Sequence, residues 1–176
     1  MMDCVLFRHG IAAERDEWDG PDEARPLTER GAKRVAQAAA GLSRLDVQPT
    51  HILSSPLVRA IETAKIAHRS LRIRTTVRIV DELLPDASPN RLLSILHDLP
   101  PESCVLCVGH EPHLGMVASV LLSGRASTSF PLKKAGACLI ELSAPAKSGQ
   151  GILRWWLTPS QLRALGKRTR GLKAED

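Results

Sequence analysis

The sequence predicts an α/β domain, a three-layer α/β/α sandwich with a mostly parallel central sheet. Short apolar runs of strand length alternate along the chain with amphipathic runs of helical spacing, which is typical of strands connected by helices. Hydrophobic residues make up 43% of the chain and charged residues 24%, an ordinary globular balance. A chain of 176 residues is expected to form one domain with a core that needs no disulfides.

The first half of the chain predicts three strands and two helices. The strands are apolar runs at residues 4–7, 51–53 and 73–80, and the last alternates in polarity as a strand near a sheet edge does. Thr28 is a suitable N-cap for the first helix, whose apolar positions recur at helical spacing up to Leu42. Ser55 is expected to cap the second helix, with Pro56 as its first residue.

The second half predicts three further strands and three helices. Residues 103–108 are the most apolar run and are therefore expected at the centre of the sheet, followed by strands at 137–142 and 152–157. Prolines at the first helical positions predict helices that begin at Ser88-Pro89, at Pro112 and at Thr158-Pro159.

The charge is uneven along the chain. The net charge of +5 raises the question of a nucleic-acid partner, but residues 161–176 hold most of the excess. We therefore expect a single domain at 1–160, a basic C-terminal helix or tail at 161–176, and no nucleic-acid partner. Because no apolar run has the length of a membrane span or of a signal-peptide core, a cytoplasmic protein without membrane contact is expected.

No metal site or disulfide framework is predicted. Cys104 and Cys107 form a C-x-x-C motif inside a predicted strand, where residues three apart lie on opposite faces. A redox pair favours a helix N-terminus and zinc needs more ligands, so buried thiols are expected. His110 and His113 do not have the i, i+4 spacing of zinc-protease ligands, and Pro112 lies between them.

Polar residues follow three predicted strands where each strand ends. Arg8 and His9 follow the first strand, Ser55 follows the second and His110 follows the most apolar one. Because the carboxyl ends of parallel strands meet at one edge of a sheet, these side chains are expected to converge there, within reach of Arg59. Each residue alone has a structural explanation. Together, two arginines and two histidines at a helix N-terminus suit a doubly charged tetrahedral anion, which indicates phosphate.

Four blocks of sequence resemble the histidine phosphatase superfamily, which has the phosphoglycerate mutase-like fold. They are Arg-His-Gly at 8–10, Arg-Pro-Leu-Thr-Glu-Arg-Gly at 25–31, Ser-Ser-Pro-Leu-Val-Arg-Ala at 54–60 with Glu-Thr-Ala at 62–64, and Gly-His at 109–110. The short chain, the Gly-His-Glu-Pro run and the Trp-Trp-Leu-Thr-Pro run at 155–159 are similar to its small SixA branch, the phosphohistidine phosphatases.

The resemblance implies a covalent mechanism without metal or cofactor. His9 would be the nucleophile and would form a phosphohistidine enzyme that water hydrolyses. Arg8, Arg59 and His110 would bind the phosphoryl oxygens and stabilise the transition state, with Ser55 also at the substrate. Gly10 belongs to the same site, and its carbonyl is a candidate acceptor for the other ring nitrogen of His9, which would fix the tautomer.

The sequence departs from the larger members of the family in the general acid. Those members use a carboxylic acid to protonate the leaving oxygen, and this chain has no clear equivalent. Glu82, after the strand at 73–80, is a possible acid, and a surface carboxylate beside a helix is the alternative. An imidazole leaves far more easily than an alkoxide, so a missing acid favours phosphohistidine as the substrate.

The predicted function is hydrolysis of phosphohistidine on a phosphorelay or phosphocarrier protein. A phosphomonoesterase acting on small phosphorylated substrates and a non-catalytic phosphate-binding adaptor are the alternatives; an intact His9 argues against the adaptor. Residues 14–23 carry six acidic side chains around Trp18 and form a lid, a partner-contacting patch or a solvated loop. If this segment overhangs the site, its charge would discourage free polyanions. The oligomeric state is left open.

Overall fold

Six strands form one sheet in the computed structural model, which describes residues 1–167 of the chain. The strands are β1 (Met2–Arg8), β2 (His51–Ser54), β3 (Val77–Ile79), β4 (Cys104–Gly109), β5 (Ala137–Leu142) and β6 (Ile152–Leu157). Their order across the sheet is β3-β2-β4-β1-β5-β6. The four strands β1 to β4 pair in parallel and β5 is antiparallel to both its neighbours, so the predicted mostly parallel sheet is confirmed.

Helices cover both faces of this sheet. They are α1 (Glu29–Arg44), α2 (Val58–Ser70), α3 (Pro89–His97), α4 (His113–Ser123) and α5 (Pro159–Gly166). Alternate residues of β1 point to opposite faces: Cys4 and Leu6 pack with α3 and α4, whereas Val5 and Phe7 pack with α1, α2 and α5. The three-layer α/β/α prediction is therefore confirmed, with one apolar core on each side of the sheet.

Two strand predictions have different outcomes. The apolar run at 103–108 lies at the centre of the sheet, between β2 and β1, as predicted. The run at 73–80 is at the sheet edge as predicted, but only Val77–Ile79 is strand. The reason is that β3 pairs only with the short strand β2, which offers it Ile52 to Ser54 as partners.

The predictions of where helices begin also have different outcomes. Thr28 accepts a hydrogen bond from the amide of Gly31 at 2.9 Å, which confirms it as the N-cap of α1. The prediction that Ser55 caps α2 and that Pro56 begins it is wrong, because Leu57 is the N-cap and the helix begins at Val58. The hydroxyl of Ser55 lies 2.8 Å from a ring nitrogen of His110, so it contacts the residue that directly follows β4.

The C-terminal helix packs against α1. Leu162 of α5 is fully buried, and Gly41 of α1 lies so close to its backbone that no Cβ fits there. Helix α5 begins at Pro159 and therefore spans the predicted boundary between the domain at 1–160 and the tail at 161–176. Residues 168–176 of that tail lie outside the described residues. None of the helices in residues 1–167 has the length and apolar character needed to cross a membrane. All four cysteines are free thiols.

Candidate active site

The carboxyl ends of β1, β2 and β4 meet beside the start of α2. The amide of His9 donates to the carbonyl of Gly109 at 3.0 Å, and that of Ser55 donates to Val108 at 3.0 Å, so the sheet pairing continues one residue beyond the strands. This brings together Arg8, His9, Arg59 and His110, which line a cavity of about 370 Å³. The convergence that the sequence predicted is therefore present.

His9 is held by the backbone of the following residue. Its Nδ1 lies 2.7 Å from the carbonyl oxygen of Gly10, which accepts the hydrogen bond as predicted. In the neutral ring this assigns the proton to Nδ1 and leaves the lone pair on Nε2. Gly10 has no room for a side chain, since a Cβ would lie 2.5 Å from Cγ2 of Val35 in α1. Its amide donates to the hydroxyl of Thr63 at 3.1 Å.

Both active-site histidines are uncharged at neutral pH. Burial lowers the pKa of His9 to about 3, helped by the charges of Arg59, Arg8 and Lys134 and opposed by the bond to Gly10. Burial likewise lowers the pKa of His110 to about 2, with contributions from His9 and Arg59. The ring centroids of the two histidines are 4.9 Å apart. A neutral imidazole is the form that can act as a nucleophile.

Three buried nitrogens of the residues that line the cavity with His9 lack a hydrogen-bond partner among the described residues. They are Nε of Arg8, Nε of Arg59 and Nδ1 of His110. Other nitrogens of these groups have partners: Arg8 donates from one terminal nitrogen to the carbonyl of Leu132 at 2.7 Å. Buried donors without partners are costly, and the three side chains that carry them line the cavity with His9.

The acidic segment at residues 14–23 borders this cavity through Arg15 and Asp22. The carboxylate of Asp22 forms ion pairs with Arg59 at 3.0 Å and with Arg25 at 2.9 Å. Arg59 also donates to the backbone carbonyl of Asp22 at 2.8 Å. The segment therefore presents both a positive and a negative side chain to the cavity. The uniformly acidic surface that would repel polyanions is not found among the described residues that line it.

Glu82 does not line the cavity. Its carboxylate forms an ion pair with Arg91 of α3 at 3.3 Å, which draws it toward that helix. Glu111 lies on the cavity instead, directly after His110, and its Oε1 accepts from the amide of Leu132 at 3.1 Å. Burial raises the pKa of Glu111, opposed by that bond and by Arg8.

Six residues of the cavity are new relative to the predicted site: Arg15, Asp22, Arg25, Pro85, Glu111 and Lys134. Arg25 and Glu111 lie inside the sequence runs that carry the family resemblance, so that resemblance could have identified them as candidate site residues. The positions of Asp22 and Lys134 depend on loop geometry. Within residues 1–167 no group of three or more His, Cys, Asp or Glu side chains is arranged to hold a metal ion.

Sequence comparison identifies relatives along most of the chain. Residues 4–84 match the profile of the histidine phosphatase superfamily (branch 1). An uncharacterized protein of Picosynechococcus sp. is 35% identical over 137 residues, which cover 77% of this chain and 82% of that protein. Phosphohistidine phosphatase SixA of Escherichia coli is 26% identical over 164 residues, which cover 92% of this chain and 97% of that protein.

Solved structures agree with the sequence relatives. The protein histidine phosphatase SixA, complexed with tungstate, has a TM-score of 0.81 at 25% identity and covers 92% of this chain and 99% of its own. A phosphoserine phosphatase from Entamoeba histolytica, in complex with 3-phosphoglyceric acid, shares the fold with a TM-score of 0.62 at 18% identity, over 92% of this chain and 100% of its own.

Proposed function

Because the chain belongs to the SixA-type branch of the histidine phosphatase superfamily and has its phosphoglycerate mutase-like fold, we propose that it hydrolyses phosphohistidine on a phosphorelay or phosphocarrier protein. One observation carries the proposal. His9 is neutral, with its lone pair on Nε2, and it lines one cavity together with Arg8, Arg59 and His110. A nucleophile and an oxyanion site are thus in one cavity.

The proposed reaction has two displacement steps. In the first, Nε2 of His9 attacks phosphorus while the bond from phosphorus to the substrate imidazole nitrogen breaks, and that nitrogen takes up a proton from solvent water so that the imidazole leaves as the neutral ring. Arg8, Arg59 and His110 donate to the phosphoryl oxygens and stabilise the charge of the transition state. In the second step water attacks phosphorus, inorganic phosphate leaves, and His9 returns to its neutral form.

The carboxylates near the site support a substrate with an easy leaving group. Glu82 is paired with Arg91 outside the cavity. Asp22 is paired with two arginines, and Glu111 accepts a backbone hydrogen bond. An imidazole, whose conjugate acid has a pKa of about 6.5, leaves without a strong acid, whereas an alkoxide needs one. The four cysteines are free thiols, which suits a reducing compartment, and we therefore include the cytoplasm in this proposal.

A small-molecule phosphomonoesterase is the second candidate, and Glu111 is the observation that favours it. Its carboxyl group borders the cavity and burial raises its pKa, both of which a proton donor to an alkoxide requires. A comparison of a phosphohistidine peptide with para-nitrophenyl phosphate separates the two candidates. A strong preference for the monoester would contradict the proposed substrate.

Trapping the covalent intermediate tests the proposal directly. Incubation with a labelled phosphohistidine donor is expected to give an acid-labile phosphoenzyme that disappears in His9→Ala. His51→Ala is the matched control, because His51 lies at the opposite end of β2, where that strand begins. A wild-type protein that neither becomes labelled nor turns over the donor would show that the covalent mechanism is wrong.

A further inference from the structure

The active-site cavity carries more positive charge than a phosphoryl group needs. Of the described residues that line it, five are cations and two are carboxylates, so with neutral histidines it has three net positive charges. A bound phosphoryl group with two negative charges leaves one of them uncompensated. In a partly desolvated site, such an excess favours a further negative group on the ligand.

The excess can be assigned to particular residues, because the other charges are already engaged. Arg8 and Arg59 line the cavity with His9, and their charges help to lower its pKa. Arg25 pairs with Asp22 and donates to the carbonyl of Ala13 at 2.7 Å. The carboxylates are occupied as well, since Asp22 binds two arginines and Glu111 accepts from Leu132.

Arg15 and Lys134 remain. In the described part of the chain neither side chain forms an ion pair or a hydrogen bond. Both line the cavity, and they come from different segments, Arg15 from the turn that follows β1 and Lys134 from the loop that precedes β5.

The backbone beside each of these two cations is anchored. The amide of Ala135, next to Lys134, donates to the carbonyl oxygens of Arg8 and His9 at 3.1 Å each. The amide of Ala13, two residues before Arg15, donates to the carbonyl of Pro26 at 2.9 Å. The backbone beside Lys134 is therefore bound to that of His9, and the backbone before Arg15 is bound to the segment that precedes α1.

We propose that Arg15 and Lys134 form a second anion-binding position at the mouth of the site, so that the preferred substrate carries a carboxylate or a second phosphate next to its phosphoryl group. The inference rests on the proposed function. On a phosphohistidine protein the second anion is an acidic side chain beside the modified histidine, and the acidic flank is bound together with the phosphoryl group.

A binding experiment tests this position without turnover. The probes are 3-phosphonopropionate and propylphosphonate, which share the phosphonate and differ in a terminal carboxylate. Calorimetric titration at low ionic strength is expected to show about tenfold tighter binding of 3-phosphonopropionate to the wild type, the effect of one partly desolvated charge-assisted contact. In the double variant Arg15→Gln/Lys134→Gln the affinity ratio is expected to fall to about one.

Lys33→Gln is the matched control, since Lys33 is exposed on α1 and does not line the cavity. It removes one positive charge away from the cavity and should leave the affinity ratio unchanged. Equal affinity of the wild type for both probes, or an unchanged ratio in the double variant, would overturn the second anion-binding position.

Turnover provides an independent readout of the same position. Two phosphohistidine peptides that carry Glu or Gln beside the modified residue should differ in kcat/KM by about tenfold with the wild type and by less than about twofold with the double variant. If neither peptide is hydrolysed, the proposed function fails while the binding ratio still decides the second position. If both are hydrolysed equally by the wild type, the proposal that the site binds an acidic side chain beside the modified histidine is wrong.

Discussion

The hydroxyl oxygen of Ser55 lies 2.8 Å from Nε2 of His110 and joins the end of β2 to the end of β4. Ser55 also accepts a hydrogen bond from the amide of Leu57 at 3.4 Å, and we assign its single proton to the bond with His110. A hydroxyl that donates to Nε2 places the ring proton of neutral His110 on Nδ1, the nitrogen that is buried without a partner within residues 1–167. Ser55 thus prepares His110 as a hydrogen-bond donor.

Ser55→Ala is expected to lower kcat/KM about tenfold, because it removes one hydrogen bond of about 1.4 kcal/mol and the ring proton of His110 is then no longer held on Nδ1. Ser54→Ala is the matched control, since its hydroxyl donates to the backbone carbonyl of Ser55 and does not touch His110. Steady-state kinetics of both variants, with urea midpoints to compare their stability, check the assignment. An equal loss of activity in the two variants would contradict it.

The same residue shows where sequence reasoning reaches its limit. A serine before a proline after a strand is a good N-cap, and local rules alone assign it to α2. The tertiary structure brings His110 to the hydroxyl across 55 positions of sequence, a contact that no local pattern encodes. The strand order and the meeting of Arg8, His9 and His110 were predictable, because parallel strands align their carboxyl ends.

The cavity wall was less predictable for a related reason. The ion pairs of Asp22 depend on how the segment before α1 folds over Arg59, and the position of Lys134 depends on the loop before β5. Loops follow no hydrophobic period, so the sequence does not reveal which of their side chains face a site. Arg59, by contrast, was predictable because it lies in the first turn of a helix that begins beside the strand end.

Stability is expected to fall in mild acid because the buried histidines resist protonation. Burial lowers the pKa of His110 to about 2, below the ordinary value of 6.5, so the unfolded chain binds a proton that the folded chain does not. Stability therefore decreases as pH falls below about 6.5, by about 1 kcal/mol per pH unit for this residue. Urea unfolding between pH 7 and pH 5 should show a shallower decrease in His110→Gln than in the wild type. Identical slopes would contradict burial as the cause.

Gly10→Ala is expected to destabilise the fold by about 1–3 kcal/mol and to lower activity, because the new Cβ meets Val35 of α1. The shift would move the carbonyl that holds Nδ1 of His9. The double variant Gly10→Ala/Val35→Ala relieves that contact and should recover part of the lost activity. Kinetics of the single and double variants check this, and no recovery would mean that the contacts of the new Cβ with Leu27 and Gly31, rather than with Val35, cause the loss.

Asp22→Asn is expected to tighten the binding of an oxyanion inhibitor such as tungstate about three- to tenfold. The substitution removes a negative charge 3.0 Å from a terminal nitrogen of Arg59 and keeps the backbone carbonyl that also orients this arginine. Asp19→Asn changes the same charge in an exposed part of the segment that does not line the cavity. Inhibition constants for the three proteins measure the effect; weaker inhibition of Asp22→Asn would show that the carboxylate itself is needed to position Arg59.

Glu111 is expected to act through Arg8. Its carboxylate accepts from the amide of Leu132 at 3.1 Å, and the carbonyl of the same residue accepts from Arg8 at 2.7 Å. Glu111→Ala should therefore loosen Leu132 and raise KM about tenfold, the effect of losing one charge-assisted bond, with a smaller effect on kcat. Glu111→Gln keeps an acceptor oxygen and should retain most of the affinity.

The two Glu111 variants also distinguish positioning from proton donation. A positioning residue predicts that Glu111→Gln behaves like the wild type on both a phosphohistidine peptide and para-nitrophenyl phosphate. A general acid predicts a loss of kcat confined to the monoester, because only its oxygen leaving group depends on the proton. Because Glu111 is bound to the backbone at Leu132, we expect the first result. The second would move the substrate assignment toward phosphate monoesters.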